Sequence, residues 1–70
     1  MKKETFTIEG DYIELMAFLK AIGLAETGGH AKSIVDEGEV LRNGEVEFRR
    51  RAKLIKGDQI EIAGRKINLF

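Results

Sequence analysis

Seventy residues make one small domain with a thin core, because a chain of this length buries only about 60% of the surface its unfolded form exposes. With no cysteine, disulfides, thiolate metal sites and cysteine nucleophiles are excluded, and no apolar run approaches the ~20 residues that cross a bilayer. Twelve cations balance twelve anions, yet the charge is sorted: residues 1–40 carry four cations and eight anions, and residues 41–70 carry eight and four.

The chain begins Met1-Lys2-Lys3 and continues into Glu4-Thr5 without an apolar h-region, so no signal peptide is predicted and a cytoplasmic protein is expected. From Thr5 to Glu9 the residues alternate, with Phe6 and Ile8 on one side, which predicts a short strand ended by Gly10. Asp11, followed three residues later by Glu14, reads as the N-cap of a first helix. Its apolar stripe is Tyr12, Leu15, Met16, Leu19 and Ile22, widened by Phe18, and Gly23 ends it. Thr27 caps a second helix running to about Glu37, with Ala31, Ile34 and Val35 on its buried face and Gly38 closing it. Two glycines, Gly28 and Gly29, follow that cap directly, and each disfavours helix by about 1 kcal/mol against alanine.

The second half reads as β. Val40-Leu41-Arg42 and Glu45-Val46-Glu47 flank Asn43-Gly44, a pair suited to a type I′ hairpin turn. Gly57-Asp58 is a second turn. Ile60 and Ile62 alternate with polar neighbours, Ala63-Gly64-Arg65 turns the chain again, and Ile67 and Leu69 return. The predicted order is β-α-α-β-β-β-β, a single α+β domain over residues 1–70 in which a two-helix unit precedes β-hairpins.

Between the hairpin and the second turn lies a dense cationic run, Phe48-Arg49-Arg50-Arg51-Ala52-Lys53-Leu54-Ile55-Lys56. A basic face inside a chain of zero net charge is an electrostatic footprint for a polyanion, and a solvated turn is the plainer alternative. If the three arginines were extended, Arg49 and Arg51 would share a face that Arg50 opposes.

A helix pair ending in Gly38-Glu39-Val40, a hairpin with Asn43-Gly44, a basic stretch and then Lys56-Gly57-Asp58-Gln59-Ile60 together resemble the S-four RNA-binding domain, also called the alpha-L motif. More narrowly, Leu19-Lys20, Thr27-Gly28-Gly29-His30-Ala31-Lys32 and Arg49-Arg50-Arg51-Ala52-Lys53-Leu54 look like its small stand-alone bacterial members, of the YbcJ/YaaA type. The resemblance covers about residues 12–63, and the flanking strands fit as well. It implies a fold in which the second helix and the following β-loop present cations to structured RNA, ribosomal or transfer RNA, without catalysis. Many members carry an arginine and a polar residue after the helix cap; glycines stand there here, so a side-chain contact is lost.

The residues suggest a replacement for it. The first amides of a helix lack intrahelical partners and sit at the positive end of its dipole. Thr27, Gly28 and Gly29 are therefore candidates for a phosphate cradle, with Lys32 one turn further on; close packing of helix against helix is the alternative use of the glycines. Arg49, Arg50, Lys53 and Lys56 are the main candidates for phosphate contacts. Arg51 stands behind them, Arg42 is expected to join the patch from the hairpin, and Lys20 equally suits the C-terminal end of the first helix. His30 is the single histidine, a base-stacking or phosphate-bonding candidate against an ordinary surface role. Phe6, Tyr12, Phe18, Phe48 and Phe70 fit helical or strand core positions better than a base-stacking platform, with Phe48, beside the arginines, the one candidate exception.

Glu26, Asp36, Glu37 and Glu39 lack the ligand spacing of a cation loop, so no metal or other cofactor is expected. No small-molecule substrate or catalytic constellation is indicated either. A protein-interaction module that uses the polarised charge is the alternative to RNA binding.

Overall fold

Nine elements follow one another in residues 2–70, the part of the chain that the computed structural model describes. They are β1 (Lys2–Phe6), β2 (Ile13–Glu14), α1 (Leu15–Ala21), α2 (Gly28–Asp36), β3 (Leu41–Arg42), β4 (Glu45–Val46), β5 (Lys53–Leu54), β6 (Gln59–Ile62) and β7 (Arg65–Leu69). Five strands form one sheet in the order β1-β7-β6-β3-β4, and β2 pairs with β5 in a separate ladder. Every neighbouring pair is antiparallel except β1 with β7, which run parallel. This is the expected α+β arrangement of two helices against hairpins, with two short strands that the residue pattern did not announce.

Turn chemistry fixes the hairpins. Asn43 and Gly44 take φ of 52° and 87°, and Ala63 and Gly64 take 50° and 73°, so both tight turns are of the I′ kind. On either side of the second turn, Ile60 and Ile62 on β6 and Ile67 and Leu69 on β7 all face the core. β1 starts three residues earlier than its alternation marks, because its register is set across the chain. The Glu4 carboxylate takes the Arg65 Nε and Nη2 hydrogens at 2.6 Å each, holding the start of β1 on β7. Backbone bonds from Ile8 N–H to the Phe70 carbonyl and from Phe70 N–H to the Phe6 carbonyl carry the pairing past Phe6.

The two helices differ in how well the sequence marks them. α2 starts as expected: Thr27 is extended and its Oγ1 accepts the His30 amide at 3.1 Å. It ends at Gly38, whose φ is +73°. The start of α1 is a correction. Asp11 does not cap it, since Ile13 and Glu14 are drawn into the ladder with β5 and the helix begins at Leu15. Glu14 stands at the N-cap but its side chain makes no capping bond; instead the Leu15 amide donates to the Ala52 carbonyl at 2.9 Å and the Met16 amide to the Arg50 carbonyl at 3.3 Å. The backbone of the basic loop thus satisfies the first orphan amides of α1. Tyr12, placed on the apolar stripe by spacing, lies outside the helix and is exposed.

Leu15, Phe18 and Leu19 from α1 meet Ala31, Ile34 and Val35 from α2 over the sheet residues, and Phe6 packs edge-on against Phe18 at 5.1 Å between centroids. Phe18 is fully buried, so truncating it to alanine costs about 3–5 kcal/mol.

Candidate nucleic-acid interface

Residues 47–58 hold the basic run between β4 and β6, and their conformation depends on polar bonds more than on burial. In the β3–β4 hairpin, Val40 stands opposite Glu47, whose amide donates to the Val40 carbonyl at 2.9 Å. Opposed residues share a face, so Arg42 and Glu47 point the same way as the fully buried Val40. Arg42 is consequently an internal arginine, its side chain only 19% exposed. Its Nε and Nη2 donate to Asp58 Oδ2 at 3.1 and 2.8 Å, Nη2 also reaches the Lys53 carbonyl at 2.8 Å, and Nη1 lies 3.4 Å from Glu47 Oε1. Asp58 completes its set with the Ile55 amide at 2.9 Å and the Asn43 side-chain amide at 3.0 Å. Burial would raise the Asp58 carboxyl, but these donors outweigh it and hold the group below its ordinary range. Arg42 therefore ties β3 to β5 and to the turn before β6, from behind the surface it was expected to join.

Glu47 links this network to the basic run. Arg49 donates from Nε to Oε2 at 3.0 Å, from Nη2 to Oε1 at 2.9 Å and from its backbone amide to Oε2 at 3.1 Å. The Arg49 side chain, with its amide and Arg42 behind it, lowers the Glu47 carboxyl from 4.5 to about 2 against the opposing effect of burial. The three arginines then diverge. Residues 49–52 form a turn closed by the Ala52 amide on the Arg49 carbonyl at 3.1 Å, so the extended reading gives way to a loop. Arg50 places Nε and Nη2 on the two oxygens of Asp36, at the end of α2, at 2.9 and 2.8 Å. Arg51 Nε lies 3.5 Å from Glu14. Bonding to Arg50, with help from Lys32, lowers the Asp36 carboxyl.

Each arginine of the run is thus matched to a carboxylate: Arg49 to its near neighbour Glu47, Arg50 and Arg51 to carboxylates from elsewhere in the fold. Arg50 with Asp36, Arg51 with Glu14 and Arg65 with Glu4 all join the cationic second half to the anionic first half. Charge sorted along the chain is substantially paired in space. What remains for a ligand is geometric: Arg49 and Arg50 use the Nε–Nη2 edge, and neither Nη1 makes a hydrogen bond among the described residues, Arg49 and Arg50 both being exposed. Lys20, Lys32, Lys53 and Lys56 are exposed and form no ion pair among the described residues, although Lys53 Nζ sits 4.9 Å from the centre of the Tyr12 ring.

At the start of α2, the amides of Gly28 and Gly29 carry no hydrogen bond among the described residues. A Cβ at Gly28 would meet nothing nearer than Met16 Cε at 3.9 Å, and one at Gly29 nothing nearer than Thr27 Oγ1 at 3.9 Å. Neither glycine is required for room between the helices, which weakens the packing alternative. His30 has a local role: its Nδ1 accepts the amide of Glu26, the residue before the cap, at 3.4 Å while its own amide donates to Thr27 Oγ1, a variant of the capping box with histidine in the usual glutamate position. The helix rises about 12 Å from Gly28 to Asp36, so the open amides and the Arg50 fork occupy opposite ends of α2.

The sequence pattern of the S4 domain matches residues 6–69. The chain belongs to the S4 domain family. Among curated relatives of this S4 domain, YbcJ of Escherichia coli (strain K12) is 36% identical over 58 residues, covering 83% of each chain. RlbA of Bacillus subtilis (strain 168), named a probable ribosome maturation protein, is 43% identical over 58 residues, covering 83% of this chain and 82% of its own. The solution structure of YbcJ, described as an alphaL motif involved in RNA-binding, superposes with a TM-score of 0.68 at 35% identity, covering 93% of this chain and 84% of that one.

Sequence reasoning passed over the two groups that organise this S4 domain surface, Glu47 and Asp58. Glu47 was within reach: an Asn-Gly turn at 43–44 fixes Val40 opposite Glu47, and a buried valine makes its partner an inward carboxylate. Asp58 was read only as a turn residue, and no local signal connects it to Arg42, sixteen positions away.

Proposed function

We propose that this protein binds structured RNA, ribosomal or transfer RNA, without catalysing a reaction on it. Membership of the S4 domain family, with a fold shared with the alphaL motif of YbcJ, carries the reading. The surface supports it with groups suited to phosphate rather than to base edges. Arg49 and Arg50 are held in fixed orientation by Glu47 and Asp36 with their Nη1 edges open, so little side-chain freedom is lost when a phosphate oxygen is accepted there. Arg51, Lys53 and Lys56 add charge along the same loop. Lys20, Lys32 and the amides of Thr27-Gly28-Gly29 form a second group of contacts, with His30 fixing the cap. Arg42 supports the loop from inside and makes no contact of its own.

Titration of ribosomal and transfer RNA fragments against this protein over a salt series tests the reading. About five phosphate contacts give a slope of log affinity on log salt between roughly −3 and −5. Affinity independent of salt would refute it.

A further inference from the structure

We infer that Phe48 is a stacking platform for an unpaired nucleobase of the bound RNA, an assignment that rests on the RNA-binding reading above. It begins with the polarity of β4 and the residues that continue it. Val46, Glu47 and Phe48 alternate in the opposite sense to an ordinary surface strand: Glu47 is 8% exposed, whereas Val46 is 45% and Phe48 62% exposed. The register that does this is firmly set by the Asn43-Gly44 turn and by the Glu47–Val40 backbone bond. A slip by one residue would bury the valine and the phenyl ring and release the carboxylate. The fold holds the less favourable side outward.

The two exposed apolar groups are adjacent. A Cβ built on Gly38 would stand 3.3 Å from Phe48 Cε1, 3.4 Å from Cζ and 3.6 Å from Val46 Cγ1. The ring therefore rests on the bare backbone of Gly38, and most of its area remains in water. Two residues before Gly38, Asp36 holds the Arg50 fork, and Arg49 follows Phe48 directly.

A protein partner fits this patch poorly, since two side chains cannot supply the ~800 Å² per partner of a stable interface. One flat base matches it, and a phosphate flanking such a base would meet the Arg50 guanidinium at the same end of α2. Phenylalanine is a regular stacking partner for unpaired RNA bases, and no base-edge chemistry is needed.

The test compares RNA hairpins carrying an unpaired loop with the same hairpins carrying an abasic loop, using wild type, Phe48→Leu and Phe48→Trp. Phe48→Leu keeps an apolar side chain on Gly38, and its fold is checked by circular dichroism. The wild type should prefer the base-bearing loop by roughly tenfold. Phe48→Leu should lose that preference with its salt slope unchanged, and Phe48→Trp should keep it while its fluorescence is quenched by the base-bearing loop only. Equal discrimination by wild type and Phe48→Leu, or equal losses on both loops, overturns the assignment. So does a dimer that Phe48→Leu abolishes without altering loop preference, which would give the patch to a second copy of the chain. A wild type that binds both loops equally overturns the role of Phe48 alone, whereas one that binds neither overturns the RNA reading as well.

Discussion

Replacing Asp58 by alanine removes the acceptor of four hydrogen bonds: two from Arg42, one from the Ile55 amide and one from the Asn43 side chain. The Asp58 side chain is 9% exposed and that of Arg42 19%, so water cannot readily take over. Breaking a buried ion pair costs about 3–5 kcal/mol, because the surviving charge is left without compensation. Arg42 would retain the Lys53 carbonyl and Glu47 at 3.4 Å, which places the expected loss at the lower end, about 3 kcal/mol. Against a total of roughly 4–10 kcal/mol for a domain of this length, that loss is a large fraction. Urea unfolding at pH 7, followed by circular dichroism, should show a lower midpoint at an unchanged m value. In a thermal melt the midpoint should fall by about 12–24 °C. Lys56→Ala, at an exposed site two residues away, serves as the control and should stay within about 0.5 kcal/mol of wild type. An Asp58→Ala variant within about 1 kcal/mol of wild type would refute the view that this network holds the loop.

Acid should unfold the protein through the same groups. The folded-state values of Glu47 (about 2, against an ordinary 4.5) and Asp58 (below its ordinary 3.8) are depressed, so both contributions are complete above those ordinary values. As the pH falls, the unfolded chain takes up protons first, and stability should drop between about pH 4.5 and 2, at up to about 1.4 kcal/mol per pH unit for each group. Urea midpoints measured across that range should decline less steeply in Glu47→Gln, and a flat wild-type profile would contradict the assignment. For RNA, Arg50→Ala should make the salt slope shallower by roughly one contact, whereas Arg42→Lys should lower the urea midpoint and leave the slope alone. The reverse pattern would exchange the roles given to these two arginines. The double variant Gly28→Ala/Gly29→Ala should raise the melting temperature, since both sites are helical and have room for a Cβ, while weakening RNA binding. Unchanged RNA affinity in that variant would remove the phosphate cradle.

What the sequence revealed and what it concealed divide along physical lines. Thr27 and Gly38 mark the ends of α2, and Asn43-Gly44 marks the hairpin, because caps and positive-φ turns are local and need particular residue types. Ile60, Ile62, Ile67 and Leu69 mark their strands because one face is buried and the period is two. The start of α1 was hidden, since its amides are capped by carbonyls from Arg50 and Ala52, a remote backbone that leaves no residue signature. The β2–β5 ladder was hidden too, being two residues long on each side. For the site, the run at 49–51 stands out in the sequence, but a count of charges along a chain carries no information on where carboxylates arrive from other elements. Asp36, considered only as a metal ligand and set aside, and Glu14, read as part of a helix cap, turn out to be partners of Arg50 and Arg51.

That pairing changes what the basic run means. In a domain with so little core, a loop of exposed arginines has almost no apolar area with which to fix itself, and only Ala52 and Leu54 within residues 49–56 are buried. The ion pairs do that work instead, and they do it with one edge of each fork. A free arginine would offer more charge to a polyanion, but it would lose more rotamer freedom on binding. A latched one offers less field and a prepared geometry, which suits recognition of a rigid RNA shape better than indiscriminate attraction to any nucleic acid. It follows that weakening the latches should trade selectivity for strength. Asp36→Asn removes one negative charge and loosens the hold on Arg50, so binding to generic polyanions such as heparin should tighten even as discrimination between folded and unstructured RNA falls. If both quantities moved in the same direction, Asp36 would be acting only as a neutralising charge, and the pairing would have no part in recognition.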